Sequence, residues 1–353
     1  MQRCLHLASQ AAGQTSPNPL VGAVVVDRGD IVGEGYHPGA GQPHAEIFAL
    51  KAAGDRARSA TLYVNLEPCN HTGRTPPCTE AIVAAGISRV VVGMIDPDPR
   101  VSGGGIERLR QAGLAITVGV EEVACQQLNE AFIYSVCHQR PFGILKYAMT
   151  LDGKIAASSG HSKWVTSPES RAWVHRLRAR CDAVIVGGQT VRQDNPQLTS
   201  HGQSEHNPAR VVMSRALKLP QQAHLWQINS APTLVFCDRS RDSKMQNHLE
   251  QLGVEVIVLP SLEPLSVLEH LQKRGLRSVL WESGGQLSAQ AIAQQCVQKV
   301  YAFIAPKLIG GIEALTPVGE LGLAKMNEAL CLTGITIDKI GPDIVIQGYL
   351  SAS

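Results

Sequence analysis

The sequence predicts an α/β protein of two domains, because strand patterns and helix patterns alternate along most of its length. Its 353 residues are too many for one average domain and enough for two. The segment 138–141 is polar and ends in Pro141, which makes it the best domain boundary in the chain. We therefore expect one domain over residues 1–140 and a second over residues 143–353.

The first domain is predicted to be a sheet layered with helices, in the order αββαβαβαβ and then one more helix. Apolar residues at helical spacing predict the helices, and short apolar runs bounded by turn residues predict the strands. The predicted elements are helix 1–12, strands 21–26 and 31–34, helix 45–53, strand 61–66, helix 79–85, strand 89–94, helix 105–112, strand 115–119 and helix 121–134.

The second domain is predicted to be another α/β layer, with short strands and at least one capped helix. The run Thr166-Ser167-Pro168-Glu169 is a good helix start, because Ser favours the N-cap and Pro the first turn. Residues 201–207 are polar and are expected to form a mobile loop. The predicted elements are strand 144–148, helix 168–179, and strands 183–186, 210–213, 233–237, 255–259, 278–282, 297–304 and 343–349.

Two strands of the second domain end in a Gly pair, Gly187-Gly188 and Gly284-Gly285, before a predicted helix. Such a turn lets backbone N–H groups approach a phosphate, although a plain tight turn is the commoner explanation of a single Gly pair. Neither pair matches the G-x-G-x-x-G fingerprint. Two of them in one domain suggest a nucleotide cofactor.

Composition excludes several kinds of function. The formal net charge is +2 and aromatic residues make up 4% of the chain, which weighs against binding to nucleic acid. No apolar run approaches the roughly 18 residues of a membrane helix, and the N-terminus lacks the pattern of a signal peptide. The nine cysteines are scattered, as expected for reduced thiols. We therefore expect a cytoplasmic protein without a membrane or nucleic-acid partner.

Three short pieces of the first domain predict a catalytic zinc site: His44-Ala45-Glu46, Pro68-Cys69 and Cys78. A catalytic zinc takes three protein ligands and keeps one position open for water, whose pKa it lowers to about 7. The signature H-x-E followed by P-C and a second Cys is that of zinc-dependent base deaminases, in which the Glu is the general acid and base. Ring deamination is therefore the first hypothesis, with His44, Cys69 and Cys78 as ligands and Glu46 as the catalytic group.

Other interpretations of these residues stay open at this point. A structural zinc would close its shell with a fourth ligand, for which His71 is the candidate. A deaminase of nucleic-acid bases would share the zinc chemistry but would leave residues 143–353 unexplained. A zinc-stabilised binding module would give Glu46 no role. The loop between the two cysteines is also longer than the C-x-x-C form of the signature.

The whole chain resembles the bifunctional deaminase–reductase family of riboflavin biosynthesis. The long cysteine loop separates this family from ordinary cytidine deaminases. The matching segments of the first domain are Thr15-x-Pro17-Asn18-Pro19-x-Val21-Gly22-Ala23, Gly35-Tyr36-His37, His44-Ala45-Glu46 and 65–78. Those of the second domain are Lys146-Tyr147-Ala148, Leu151-Asp152-Gly153-Lys154, Trp164-Val165-Thr166, Asp194-Asn195-Pro196 and Glu282-Ser283-Gly284.

The resemblance implies a cytidine-deaminase-like α/β/α domain followed by a domain similar to dihydrofolate reductase. It also implies two consecutive reactions on a phosphoribosylaminopyrimidine. The first is hydrolytic deamination of 2,5-diamino-6-(5-phosphoribosylamino)pyrimidin-4(3H)-one to 5-amino-6-(5-phosphoribosylamino)uracil, with zinc. The second is reduction of the ribosyl group to ribityl by NADPH, with hydride going to C1′ of the ring-opened sugar. A homo-oligomer, a dimer or larger, is expected on the same ground.

The resemblance further assigns substrate and cofactor residues. Asp194 is the most plausible polar group near the reduction. The substrate residues are Asn18, His37, His71 and Arg74 in the first domain and Ser162, Arg178, Leu198 and Glu282 in the second. The residues expected against NADPH are Ala148, Trp164, Thr190, Asp194, Ser214, Gly284 and Gly285.

One position departs from the family pattern. Relatives usually carry an Arg where this chain has His201, three residues after Leu198. A neutral imidazole does not replace a bidentate guanidinium on a phosphate. An active deaminase with a weak or inactive reductase-like domain is therefore the alternative hypothesis.

Overall fold

The computed structural model describes residues 1–71, 76–99 and 101–351. The chain divides into two compact units, Met1–Arg140 and Pro141–Ser353. No helix in the described part of the chain combines the length and the apolar composition needed to span a bilayer.

The first unit is built on a mixed sheet whose strands follow the order β2-β1-β3-β4-β5. Strand β1 pairs antiparallel with β2 and β3, whereas β3, β4 and β5 run parallel. Its elements are α1 (Gln2–Ser9), β1 (Gly22–Asp27), β2 (Asp30–Tyr36), α2 (Ala45–Ala53), β3 (Thr61–Leu66), α3 (Cys78–Ala84), β4 (Arg89–Met94), α4 (Gly104–Gln111), β5 (Ala115–Val118), α5 (Glu122–Leu128) and α6 (Glu130–His138).

Small residues let α2 lie directly on the sheet. Ala45, Ala49 and Ala53 follow one another at helical spacing and are all buried against the strands. Gly33 and Gly35 of β2 face this helix, and a Cβ atom on Gly35 would lie 2.4 Å from Cβ of Phe48. This close packing fixes the N-terminus of α2, where two of the predicted site residues lie.

The second unit is built on a sheet with the strand order β10-β9-β8-β7-β11-β6-β12-β14-β13. The pairs from β10 to β12 are parallel, and β14 pairs antiparallel with both β12 and β13. Its elements are β6 (Phe142–Thr150), α7 (Pro168–Arg180), β7 (Ala183–Gly187), α8 (Gly188–Asp194), β8 (Ala209–Met213), β9 (Thr233–Cys237), α9 (Ser243–Gln251), β10 (Glu255–Val258), α10 (Pro264–Lys273), β11 (Ser278–Trp281), α11 (Gly285–Ala293), β12 (Lys299–Ala305), β13 (Leu332–Ile340) and β14 (Asp343–Leu350).

The core of this unit lies between the parallel strands and their helices. Val211, Phe236 and Trp281 are fully buried there, together with Val267 and Leu271 of α10. Strands buried on both faces are typical of parallel sheets covered by helices.

The predicted helix 121–134 is wrong in one respect, because the chain forms two helices that meet at Asn129. The side-chain amide of Asn129 accepts a hydrogen bond from the N–H of Leu20 and donates one to its carbonyl. Asn129 is therefore held by the loop before β1 as well as by its own helix.

Strand β13 was not predicted, because most of its residues are exposed and show no alternation of buried and exposed positions.

The polar segment 201–207 lies outside the helices and strands, as expected. Its ends are joined by Asn207, whose side-chain oxygen accepts hydrogen bonds from the N–H and the hydroxyl of Ser200. These bonds close the segment into a loop between Ser200 and Asn207.

Candidate active sites

The three predicted zinc ligands lie together in the first unit. His44 precedes α2, Cys69 follows β3, and Cys78 is the first residue of α3. Their ligand atoms all lie within 4.8 Å of one another. Nδ1 of His44 is 3.2 Å from Sγ of Cys78 and 3.5 Å from Sγ of Cys69. Two thiolates and one imidazole are donors that zinc prefers, and three protein ligands leave a position for water.

The two cysteines cannot both ionise easily without a nearby cation. Hydrogen bonding from Cys78 lowers the pKa of Cys69 to about 4, and His44 acts in the same direction. The pKa of Cys78 is raised, because it is hydrogen-bonded to the Cys69 sulfur and is buried. Since a coordinated thiol is deprotonated by the charge of the metal, this pair fits a zinc ion.

Glu46 lies in the first turn of α2, two residues after His44, and is 3% exposed. Burial raises the pKa of its carboxyl group. A carboxyl group whose pKa is raised by burial suits a group that must both accept and return a proton. The Glu46 side chain is also hydrogen-bonded to Cys78, one of the three predicted metal ligands.

Asn18 and His37 lie beside the zinc ligands. Nε2 of His37 is 3.0 Å from the amide nitrogen of Asn18, and Nδ1 is 3.0 Å from the carbonyl of Pro43. An amide donor at Nε2 and a carbonyl acceptor at Nδ1 define a neutral ring protonated on Nδ1. Burial lowers the pKa of His37, which favours the same neutral form. The ring of His37 lies edge-on to that of His44, with centroids 5.4 Å apart.

His71 is exposed and does not belong to the group of three ligand atoms found among the described residues. The substrate role predicted for Arg74 lies outside the described residues.

Glu67 was not among the predicted residues, although it immediately precedes the Pro68-Cys69 motif. It is 3% exposed, and its carboxylate accepts hydrogen bonds from the backbone N–H groups of Asp96, Gly103, Gly105 and Ile106. It therefore anchors the start of α4 beside the metal ligands. Its partners are backbone groups, so the sequence gives no signal of this role.

The second unit contains a cavity of about 600 Å³ at the carboxyl ends of strands β6, β7 and β11. In open α/β sheets, ligands bind at this end of the strands. All four predicted substrate residues of the second domain line it: Ser162, Arg178, Leu198 and Glu282. Four residues predicted to contact the cofactor also line it: Ala148, Trp164, Thr190 and Asp194.

The other three predicted cofactor residues are not among those lining the cavity. Ser214 follows β8 and lies against the first Gly pair, where a Cβ on Gly188 would be 3.0 Å from its Oγ. Gly284 caps α11, directly after the cavity residue Ser283. Gly285 lies against the segment 316–319, because its carbonyl accepts a hydrogen bond from the N–H of Gly319.

Three charged side chains form an ion-pair cluster in the cavity. Nε and Nη2 of Arg178 lie 2.5 Å and 3.0 Å from the two carboxylate oxygens of Glu282. Nζ of Lys146 lies 3.7 Å from the same carboxylate. Although burial opposes the shift, Arg178 and Lys146 lower the pKa of Glu282 to about 2. Burial also lowers the pKa of Lys146.

Asp194 is the last residue of α8, and its carboxylate accepts a hydrogen bond of 3.1 Å from Oγ of Ser162. His201 lines the same cavity, and its ring stacks on that of His175 of α7, with centroids 4.1 Å apart. His175 was not predicted as a site residue. The sequence gives no signal for it, since His175 lies 26 positions before its partner and no motif contains it.

Two family models match the chain. The model of the cytidine and deoxycytidylate deaminase zinc-binding region matches residues 1–94, and that of the RibD C-terminal domain matches residues 141–346. Together they define the class, a zinc-dependent deaminase joined in one chain to a reductase domain. The two cofactors expected from the sequence, zinc and NADPH, agree with these matches.

Similar proteins cover the whole chain. The riboflavin biosynthesis protein RibD of Synechocystis is 62% identical over 350 residues, which are 99% of this chain and 95% of that protein. The solved structure of Acinetobacter baumannii RibD is 34% identical, with a TM-score of 0.89 over 99% of this chain and 98% of that one. A diaminohydroxyphosphoribosylaminopyrimidine deaminase/5-amino-6-(5-phosphoribosylamino)uracil reductase from Thermotoga maritima is 36% identical, with a TM-score of 0.88 over 99% and 97% of the two chains.

The chain therefore belongs to the RibD family of riboflavin biosynthesis proteins. The predicted fold class and the bifunctional character, hydrolase and oxidoreductase, are confirmed.

Proposed function

We propose that the two units catalyse consecutive reactions on one small molecule. The first hydrolyses the 2-amino group of 2,5-diamino-6-(5-phosphoribosylamino)pyrimidin-4(3H)-one, giving 5-amino-6-(5-phosphoribosylamino)uracil and ammonia. The second reduces the ribosyl group of that product to ribityl with NADPH. The observation that carries the proposal is the convergence of three zinc-binding donors with a buried carboxylate, Glu46, in the unit that matches a deaminase. The Thermotoga maritima protein is named for the same two activities.

In the deaminase, His44, Cys69 and Cys78 would hold the metal. Bound zinc supplies a water of near-neutral pKa at the reacting carbon. Glu46 accepts a proton from the attacking water as the C–O bond forms and then delivers it to the amine, so that the C–N bond breaks and ammonia leaves. Its burial supports this role, because the raised pKa lets one carboxyl group act in both directions.

The residues around the metal would orient the pyrimidine. The amide of Asn18 and the ring of His37 are linked by one hydrogen bond, and breaking this bond makes both groups available to a ligand. His71 and Arg74 complete the proposed substrate set, and the guanidinium of Arg74 is the natural partner of the ribose phosphate.

In the reductase, the cavity of about 600 Å³ has the size of a ligand site and a charged wall. We assign its substrate contacts to Ser162, Arg178, Leu198 and Glu282. The residues that would hold the cofactor are Ala148, Trp164, Thr190, Asp194, Ser214, Gly284 and Gly285. NADPH, when bound, supplies the hydride. Asp194, held by the hydroxyl of Ser162, is the polar group that we place beside the reacting sugar.

Domain limits follow from these assignments. We propose a zinc-dependent pyrimidine deaminase over residues 1–140 and an NADPH-dependent reductase over residues 143–353, which fits the two compact units. The scattered spacing of the nine cysteines suits a reducing compartment, and we propose the cytoplasm.

A homo-oligomer formed through the second unit is supported by the surface around β13, the last strand of its sheet. Ile335 and Ile337 of this strand are 55% and 67% exposed, and Ile344 of β14 is 44% exposed. An apolar edge strand left uncovered invites pairing with another chain. The substitution Ile337→Lys should lower the mass measured by light scattering. Val123→Lys on α5, at a residue that is also 67% exposed, should not.

A coupled assay tests the two reactions together. The purified protein is given the diaminopyrimidine phosphoribosyl compound, and ammonia and NADPH are followed in the same sample. Ammonia release followed by equimolar NADPH loss is expected. Ammonia without NADPH loss would leave a deaminase with an inactive reductase-like domain, and no ammonia would overturn the zinc-site assignment.

A further inference from the structure

The cationic groups of the reductase cavity are largely occupied before any ligand binds. Arg178 directs Nε and Nη2 to Glu282, and Nη1 lies 3.3 Å from the carbonyl oxygen of Thr199. Lys146 shares the same carboxylate. Glu282 therefore offsets one of these two positive charges. A phosphate monoester, which carries close to two negative charges at neutral pH, meets only about one surplus permanent cation in this cluster.

His201 can add positive charge beside this cluster, in a cavity that Lys163 and Arg171 also line. The carbonyl that receives Nη1 of Arg178 belongs to Thr199, two residues before His201, so the guanidinium is tied directly to the segment that carries the imidazole. Leu198 and His201 both have left-handed backbone conformations, with φ values of 56° and 48°. Such conformations are uncommon for residues other than Gly and persist only where the surrounding structure holds them. His201 is thus fixed at the cavity wall.

His175 holds the plane of this imidazole. The two rings stack with centroids 4.1 Å apart and an angle of 20° between their planes. His175 comes from α7, the same helix that carries Arg178, so the stack and the guanidinium have a common support. The stack leaves the ring nitrogens of His201 at its edge, where they remain available to a ligand.

We propose that His201 binds the substrate phosphate of the reductase as an imidazolium, and that phosphate binding is therefore coupled to the uptake of one proton. His175 is the positioning residue of this pair. The inference rests on the proposed function and deepens it, since it concerns the phosphate group of that same substrate.

The charges around His201 support this coupling. Burial lowers the pKa of His201, and Arg178 lowers it further, whereas Glu282 opposes the shift. Burial also lowers the pKa of His175 to about 4, with contributions from His201 and Arg178. The free pair is therefore neutral near pH 7, and the bound dianion supplies the counter-charge that favours protonation. The other charged or titratable groups lining the cavity are Lys146, Tyr147, Lys163, Arg171, Asp194 and His224.

The direction of the pH effect follows. The imidazole is neutral in the free protein and protonated when phosphate is bound. Each unit by which the pH rises therefore weakens phosphate binding by up to about tenfold. The phosphate itself has a second pKa of about 6, so its dianion already predominates above pH 6.5. KM for 5-amino-6-(5-phosphoribosylamino)uracil should therefore rise at least about tenfold between pH 6.5 and 8.5, with a much smaller change in kcat.

Variants at position 201 separate charge from shape. His201→Arg carries a permanent charge, so its KM should be low at pH 8.5 and should change little between pH 6.5 and 8.5. The amide in His201→Gln stays neutral, so the KM of this variant should be high at both pH 6.5 and pH 8.5. His175→Ala should raise KM, and His175→Phe should restore it, because a phenyl ring preserves the stack without titrating. Ammonia release by the first unit is the internal control in every variant.

A binding measurement tests the coupling without catalysis. Titration calorimetry with ribose 5-phosphate in two buffers of different ionisation enthalpy, at pH 7.5, should show uptake of close to one proton in the native protein and none in His201→Arg. The inference would be overturned if KM depended on pH equally in these two proteins. It would also be overturned if the native protein took up no proton or did not bind ribose 5-phosphate. Absence of NADPH consumption in both proteins at every pH would instead contradict the proposed reductase function, while the proton count would still decide the role of His201.

Discussion

Arg178 and Glu282 form a two-point ion pair across 104 positions of the sequence, with nitrogen–oxygen distances of 2.5 Å and 3.0 Å. Each side chain is 11% exposed. The pair joins α7 to the residue that follows β11, and Lys146 of β6 adds a third element. The proposed substrate site of the reductase is thus preorganised by charge before a ligand enters.

The substitution Glu282→Gln should disable the reductase and weaken the second unit. Removing one partner of a buried ion pair leaves an uncompensated charge and costs about 3–5 kcal/mol. We expect NADPH consumption to fall at least about tenfold, together with a lower midpoint of denaturant unfolding.

Glu255→Gln is the matched control, since Glu255 pairs with Arg274 at the surface of the same unit. Exposed pairs contribute about 0–1 kcal/mol, so both readouts should stay close to those of the native protein. Equal losses in the two variants would show that the position of Glu282 in the cavity has no special importance.

The substitution Glu46→Gln should abolish deamination while leaving the metal in place. The amide has the shape of the carboxyl group but cannot accept the proton of the attacking water, and general acid–base catalysis contributes about 10²–10⁴-fold. Ammonia release should fall by this factor, and zinc content measured by atomic emission should stay at one ion per chain.

Glu80→Gln provides the comparison for Glu46, because Glu80 is exposed on α3 and pairs with Arg108. Its ammonia release should match the native rate. A Glu46→Gln variant with normal turnover would remove the proton-transfer role, and one that lost zinc would make Glu46 a structural support for the metal site.

The substitution Asp194→Ala should affect only the reduction. It removes the acceptor for the hydroxyl of Ser162 at the cavity wall, and we expect NADPH consumption to fall at least about tenfold. Ammonia release should be unchanged, because Asp194 belongs to the second compact unit. A simultaneous loss of both activities in a folded variant would contradict the assignment of separate sites. Asp238→Ala, directly after β9, is the control for removing a carboxylate outside the cavity.

Local patterns were sufficient to predict much of this structure. Strands 61–66, 89–94 and 233–237 and helix 45–53 have the predicted limits, because each is a short apolar element bounded by turn residues. The proximity of His44, Cys69 and Cys78 could be predicted because the motifs that contain them are typical of ligands that share one ion.

Other parts depend on contacts between distant residues. Strand β13 was missed although Ile335 and Ile337 alternate with polar residues, because this alternation is short and a Gly precedes it. The role of Glu67 is likewise hidden, since its four partners are backbone N–H groups of residues 96–106. The stack of His175 on His201 depends on how α7 packs beside the segment after α8, and neither residue type indicates it.

Gly35 should be essential for the deaminase, although it has no side chain that could take part in the reaction. A Cβ at this position would lie 2.4 Å from Cβ of Phe48 and 3.0 Å from the carbonyl oxygen of Ala45. The substitution Gly35→Ala must therefore push the first turn of α2, with His44 and Glu46, away from β2. Overpacking of this kind costs about 1–3 kcal/mol, and displacement of catalytic groups by about 1 Å can cost 10²-fold in rate. We expect lower thermal stability and a loss of ammonia release of that order, measured alongside Gly104→Ala, whose Cβ would have no atom within 4 Å. Unchanged stability and an unchanged rate of ammonia release in Gly35→Ala would contradict this prediction. The tight contact of α2 with β2 would then have no part in positioning His44 and Glu46.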